Sequence, residues 1–277
     1  MLCMKKLILL TLILFIQFSF IQKELTWVAI GDSITYLNDH PDETGNRITK
    51  GYMTRVTEKL PNIHFTNKGY NGWTAIKIAT DIEKLGIQKS DLYSIFLGTN
   101  DWWSSKPIGS FADYENNAGT STVYGAFRVI INKLRALNSK AKIVLITPMQ
   151  RVDFVYFNDF KNNAYGSYKT KSGQSLEDFA NAVIAIAHYE QIAFVDLYHK
   201  KRMDHASLVK FKRVKDTTTG EYKNYPYPDF IGIPFDPTKD EYPYPIESIN
   251  ITYDGLHPSD KGYQMIAESL IKIFKKL

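Results

Sequence analysis

The sequence predicts an α/β protein: a mostly parallel, five-stranded sheet covered by helices on both faces. Three observations carry this expectation. Short apolar runs alternate with amphipathic stretches from Leu25 to the end of the chain. The runs are apolar nearly throughout, the pattern of strands buried on both faces. The 277 residues are 44% hydrophobic and 14% aromatic, enough to fill a sizeable core and too much for a disordered, collagen-like or coiled-coil chain.

Residues 1–22 read as a leader outside the fold. Lys5 and Lys6 precede an apolar run from Leu7 to Ile21, broken by Thr11, Gln17 and Ser19. A short positive head followed by about 7–15 apolar residues is the pattern of a secretory signal. A membrane anchor normally needs about 20 apolar residues. No clear small-x-small cleavage site follows, so an uncleaved anchor is the alternative. Cys3 lies before the run, whereas a lipoprotein signal needs its cysteine after it. Export to the periplasm or beyond is the expectation, with no stable membrane association after signal removal and with residues 23–277 as one domain.

Within that domain the runs Thr26–Ile30, Ile63–Thr66, Leu92–Leu97, Lys142–Ile146 and Ile192–Leu197 are the expected strands. Between the third and fourth strands and beyond, apolar residues recur at three- and four-residue steps. Val123, Phe127, Ile130, Leu134 and Leu137 form one stripe, and Leu176, Phe179, Val183 and Ala187 a second. Ser175 with Asp178 three residues on gives the second helix a capping-box-like start. Tyr263, Ile266, Ala267, Leu270 and Phe274 mark a closing helix.

Two stretches break the rhythm. Residues 150–173 are polar, aromatic and aperiodic, an excursion after the fourth strand. Residues 198–250 carry six of the eleven prolines and six tyrosines, which forbids regular helix and favours extended loop. Long insertions of this kind are often functional, and this one is expected to form a wall of the cleft described below.

Charge and cysteine content exclude several classes. Lys plus Arg number 34 against 29 Asp plus Glu, a net +5 that is scattered and contains no run of five basic residues. Nucleic acid is therefore not an expected partner. Cys3 is the single cysteine, which leaves nothing for a disulfide or a thiolate metal site.

Chemistry is expected where strands end, because open parallel sheets place ligands at their carboxyl edge. Gly31-Asp32-Ser33-Ile34-Thr35 follows the first strand and puts a serine at a strand-to-helix turn. Asn67-Lys68-Gly69-Tyr70-Asn71-Gly72-Trp73-Thr74 follows the second, and Gly98-Thr99-Asn100-Asp101 the third. Taken singly, each could be an ordinary turn. Near the C-terminus stands Asp254-Gly255-Leu256-His257-Pro258. Of six histidines, His257 alone has a carboxylate three residues earlier on an extended or turn segment just before a helix. His40, His64, His188, His199 and His205 are read as structural or solvated.

Together the four blocks are far more specific, and in order and spacing they resemble the SGNH or GDSL family of serine ester hydrolases from about Trp27 to the C-terminal helix. The resemblance implies a three-layer α/β/α fold related to flavodoxin-like sheets, with no metal or organic cofactor. It matches Ser33 to the nucleophile, Asp254 and His257 to the other triad members, and Ser33, Gly72 and Asn100 to the oxyanion donors. The segment before Asp254 departs in length, which bears on substrate class.

Those residue types suit acyl transfer. A serine hydroxyl attacks only if a base takes its proton; a histidine oriented by a carboxylate does that and returns the proton to the leaving alcohol. The leading expectation is an exported esterase removing small acyl groups, such as acetyl, from carbohydrate or another small ester. A lipase, lysophospholipase or thioesterase with the same triad is the alternative. A non-catalytic carbohydrate-binding protein is the alternative from another class. Trp102 and Trp103 follow Asn100-Asp101 directly, so at least one indole is expected at the rim of the site as a platform for a sugar ring.

Overall fold

The computed structural model describes residues 23–276; the expected leader lies outside the described residues. In chain order the elements are β1 (Leu25–Gly31), α1 (Ser33–Tyr36), α2 (Tyr52–Lys59), β2 (Ile63–Gly69), α3 (Ala75–Asp81), β3 (Leu92–Phe96), α4 (Thr99–Trp103), α5 (Phe111–Glu115), α6 (Val123–Leu137) and β4 (Lys142–Ile146). There follow β5 (Phe154–Tyr156), β6 (Asp159–Ala164), α7 (Leu176–Glu190), β7 (Ala193–Val195), α8 (His205–Leu208), β8 (Lys212–Lys215), β9 (Tyr222–Tyr225) and α9 (Asp260–Phe274).

Five strands form one sheet in the order β2-β1-β3-β4-β7, with every neighbouring pair parallel. Side chains alternate faces along a strand, and here both faces are dry. Trp27 and Ala29 of β1 pack on one side with Tyr52, Val56, Tyr263, Ile266 and Leu270 from α2 and α9. Val28 and Ile30 pack on the other with Ile78, Phe127, Ile130, Phe179 and Val183 from α3, α6 and α7. Strands β3 and β4 divide in the same way, Phe96 and Val144 to the first face, Tyr93 and Leu145 to the second. The result is a three-layer α/β/α sandwich whose strand order reverses between β1 and β3. The Trp27 indole N–H, buried within the first layer, donates to the Ser94 hydroxyl at 3.0 Å, so the ring is buried without an orphaned donor.

The helix signals act locally as expected. Ser175 Oγ accepts from the Asp178 amide at 3.1 Å, and Asp178 returns the bond from the Ser175 amide at 2.7 Å, the reciprocal cap that starts α7.

The two aperiodic stretches are more ordered than plain loop. Residues 150–173 contain the antiparallel hairpin β5–β6, and residues 198–250 contain α8 and the hairpin β8–β9. Among the described residues no helix is long and apolar enough to cross a membrane.

Candidate active site

Register places the three strand-end blocks side by side. Gly31, the last residue of β1, lies opposite Gly69 of β2 and Phe96 of β3. The loops after these strands therefore leave the sheet from one row, at the point where the strand order reverses.

Ser33 opens α1. Asp32 caps that helix, its carboxylate accepting from the Ile34 amide at 3.0 Å. Burial outweighs this bond and pushes the Asp32 carboxyl up to about 6. The Tyr263 hydroxyl donates to the Ile34 carbonyl at 2.9 Å, and the Thr35 and Tyr52 hydroxyls meet at 3.0 Å, so both covering helices of that layer pin the short segment that carries Ser33.

His257 comes from the loop just before α9. Its Nε2 stands 2.8 Å from Ser33 Oγ, and its Nδ1 stands 2.7 Å from Asp254 Oδ2. Asp254 is fully buried, and its other oxygen accepts from the Leu256 and His257 amides at 3.0 and 2.7 Å. An ionised carboxylate only accepts, so Nδ1 is the donor to Asp254 and Nε2 carries the free lone pair that faces the serine hydroxyl. Phe154 meets the imidazole edge-on at 5.4 Å between ring centroids, and Tyr253 stacks on it at 5.9 Å. Gly255 makes the tight Asp254-to-His257 turn at φ +90°, and the Asp153 carbonyl lies where a side chain would begin.

Gly72 and Asn100 border the same cleft as Ser33 and His257. Gly72 sits at φ +72°, and a side chain there would project into open space. The Asn100 amide donates one N–H to the Trp73 carbonyl at 3.1 Å, which fixes its plane and leaves its second N–H for the cleft. The backbone N–H groups of Ser33 and Gly72 have no acceptor among the described residues. Three residues with a donor left over thus line the cleft beside an oriented Ser–His–Asp chain, an arrangement able to activate a hydroxyl and receive a developing oxyanion.

Asp101, noted in the sequence only as part of a turn motif, ties two of these loops together. Its carboxylate accepts from the Ala75 and Ile76 amides at 2.8 and 3.3 Å, joining the block after β3 to the helix that follows Gly72. Burial pushes this carboxyl up to about 6 as well.

Three expectations need correction or refinement. Trp102 is not a rim residue: it is 0% exposed, and its indole N–H donates to the Gln174 carbonyl at 3.1 Å. The turn of α4 sends it inward, into the helix layer with Phe127 and Phe179, despite the polar residues that follow it. Trp103 does border the cleft, but the cations of Lys171 and Arg151 stand over its ring at 3.8 and 4.9 Å. Its face is therefore engaged by protein rather than free for a sugar. The cleft wall comes from the β5–β6 hairpin, through Phe154, Tyr156, Asn162 and Ala164, and no residue of 198–250 borders it. That longer segment backs the hairpin instead: the Tyr242 hydroxyl donates to the Val155 carbonyl at 3.1 Å, and the Tyr244 hydroxyl to the Asp153 carbonyl.

Arg151 also borders the cleft and carried no signal in the sequence, because its spatial neighbours are scattered along the chain. The cleft encloses about 410 Å³, at the small end of ligand sites. Among the described residues no group of three or more His, Cys, Asp or Glu could hold a metal ion. The other histidines make local contacts: His64 with Glu24, His199 with Asp196 and Glu177, His205 with Ser167, and His40 stacked on Tyr36.

No curated protein matches the sequence. Solved structures do. A protein from Chitinophaga pinensis DSM 2588 described as "a possible lipase" is 60% identical, with 91% of this chain and 98% of that chain covered at a TM-score of 0.90. A protein from Lactobacillus plantarum, 18% identical, shares the fold at a TM-score of 0.61 over 92% of this chain and 98% of its own. The acetyl xylan esterase AlAXEase, 17% identical, shares it at 0.53 over 90% and 98%. Residues 29–265 match the GDSL-like Lipase/Acylhydrolase family, a span that contains every block assembled around the cleft. The chain belongs to that family of ester-hydrolysing enzymes.

Proposed function

We propose that the chain is an exported serine esterase that removes small acyl groups, acetyl above all, from carbohydrate hydroxyls through an acyl-Ser33 intermediate. The observation that carries the chemistry is the continuous hydrogen-bonded chain from Asp254 through His257 to Ser33. As Ser33 Oγ bonds to the acyl carbon, its proton passes to His257 Nε2. Asp254 keeps the Nδ1 proton in place and stabilises the imidazolium that results. The carbonyl oxygen, now an oxyanion, takes hydrogen bonds from the Ser33 and Gly72 amides and the Asn100 side chain. Collapse breaks the bond to the alcohol oxygen, which receives the proton from His257. Water then repeats the cycle with His257 as base and releases the carboxylic acid.

The polar residues Glu43, Asn71, Ser104 and Asn162 along the cleft support a polar alcohol such as a sugar. The N-terminal signal pattern supports export. One feature favours a second reading: Leu37, Phe154, Ala164 and Leu256 make part of the cleft apolar, as a longer acyl chain needs. A p-nitrophenyl ester series separates the two. The first reading predicts that kcat/KM peaks at acetate or propionate and falls by butyrate to octanoate. A rise towards octanoate transfers the assignment to a lipase.

A further inference from the structure

Arg151 is 2% exposed, and it lies at the edge of the cleft that holds Ser33 and His257. Burying a guanidinium is costly unless its charge and donors are met. Here they are met only in part. Nη2 donates to the Tyr165 carbonyl at 2.9 Å, while Nε is buried without a partner. Among the described residues no carboxylate forms an ion pair with it. The two that approach are already engaged: Asp254 by His257 and two amides, Asp153 by Lys212 at 2.7 Å, the Gly166 amide and the Tyr168 hydroxyl.

The position is nonetheless built with care. The guanidinium lies beside Trp102 and Trp103, its carbon 5.4 and 4.9 Å from ring centroids that are themselves 6.0 Å apart, so the indoles supply part of its compensation. Its backbone is clamped on both sides. The Arg151 amide donates to Ser167 Oγ at 3.0 Å, Arg151 O accepts from the Ser167 amide at 2.8 Å, and His205 Nε2 meets the same hydroxyl at 2.8 Å. Burial lowers the guanidinium to about 10, which leaves it charged at neutral pH. A rigid, charged, incompletely satisfied fork at the wall of a catalytic cleft matches a planar anion better than any neutral group.

We propose that Arg151 is the specificity-determining residue of the cleft and that the ester it selects carries a carboxylate near the scissile bond. This rests on Ser33 acting as the nucleophile of the same cleft. The carboxylate belongs either to the alcohol, as in an acetylated acidic sugar, or to the acyl group, as in a dicarboxylic half-ester. Both present the same planar anion to the guanidinium.

Two matched substrate pairs test this and separate the two sources. On the alcohol side, 4-acetoxybenzoate is compared with its methyl ester; on the acyl side, monoethyl succinate is compared with ethyl butyrate. The expected result is a preference of about 10–100-fold in kcat/KM for the anionic member of one pair, expressed mainly in KM, as charge-assisted bonds of this kind give. The ratio should fall to near 1 in Arg151→Gln and lie between in Arg151→Lys, which keeps the charge without the fork. Should neither variant fold, the wild-type ratios and calorimetric binding of 4-acetoxybenzoate against its methyl ester to Ser33→Ala protein carry the test. Hydrolysis of neutral esters with no preference in either pair overturns the proposal and leaves the esterase reading intact. If no ester at all is cleaved, the esterase reading fails. The carboxylate site then stands on tighter binding of the anion by wild-type protein, and equal binding overturns it too.

Discussion

His257 Nε2 stands 2.8 Å from the Ser33 hydroxyl oxygen although 224 positions of sequence separate them. The contact exists because β1 and α9 lie in adjacent layers, with Tyr263 of α9 bonded to the Ile34 carbonyl directly beside Ser33. Closing so long a loop for one hydrogen bond is unfavourable by itself; the packing of α9 on the sheet supplies the stability.

That contact makes the first prediction. Ser33→Ala and His257→Ala should each lower kcat by at least about 10³-fold, and the double variant should be hardly worse than either alone, since the two act as a unit. Steady-state kinetics on protein shown to be folded by circular dichroism checks it. Multiplicative losses would show that the residues act separately.

Asn100 should behave differently from a substrate-binding residue. With its amide plane fixed by the Trp73 carbonyl at 3.1 Å, it is set to meet an oxyanion that exists only after attack. Asn100→Ala should therefore cut kcat by about 10²–10³-fold with little change in KM. A loss confined to KM would assign Asn100 to ground-state binding.

Asp101 should leave a mark on stability rather than on chemistry. Burial pushes its carboxyl from 3.8 to about 6, so the folded state holds a proton that the unfolded chain has released. Stability then falls as pH rises from about 4 to 6 and levels off above that window. Asp101→Asn removes this slope, so the variant should gain on the order of 2–3 kcal/mol relative to wild type between pH 4 and pH 7. Urea denaturation at both pH values checks this. A difference that does not change with pH would mean that the Asp101 carboxyl is not raised.

The two tryptophans should separate cleanly. Trp102 is wholly buried, and Trp102→Ala should cost about 3–5 kcal/mol through the cavity it leaves. Trp103 is partly exposed at the cleft, so Trp103→Ala should lower Tm less. Thermal denaturation of both variants decides the order, and equal losses would contradict the placement of Trp103 at the surface.

The same pair shows where sequence stops being informative. Strands β1, β3 and β4 are legible because strands covered on both faces must be apolar along most of their length. The edge strand β2 is half-buried and shows only Ile63 and Phe65 as apolar anchors, and the expected fifth strand, Ile192–Leu197, forms as Ala193–Val195. The Ser33, Gly72 and Asn100 blocks are legible because each follows a strand end and register aligns those ends. The Asp254–His257 block follows no strand of the sheet and is legible from its carboxylate-to-histidine spacing just before α9. Trp102 was misread because the polarity of its sequence neighbours says nothing about which side of a single helical turn faces the core. The β5–β6 hairpin escaped notice because Asp159–Ala164 is mostly exposed and shows no apolar alternation. Arg151 gives no signal for a related reason: the indoles beside it and the carbonyl it bonds belong to Trp102, Trp103 and Tyr165, which share no motif with it.

The most direct measurement of the central claim, that Ser33 is the nucleophile, is peptide mass spectrometry on protein quenched in acid during turnover of p-nitrophenyl acetate. The account predicts an acetyl group on the hydroxyl of Ser33, present in wild type and absent in Ser33→Ala. Acetylation at another residue during competent turnover, or undiminished release of p-nitrophenol by folded Ser33→Ala protein, would contradict it.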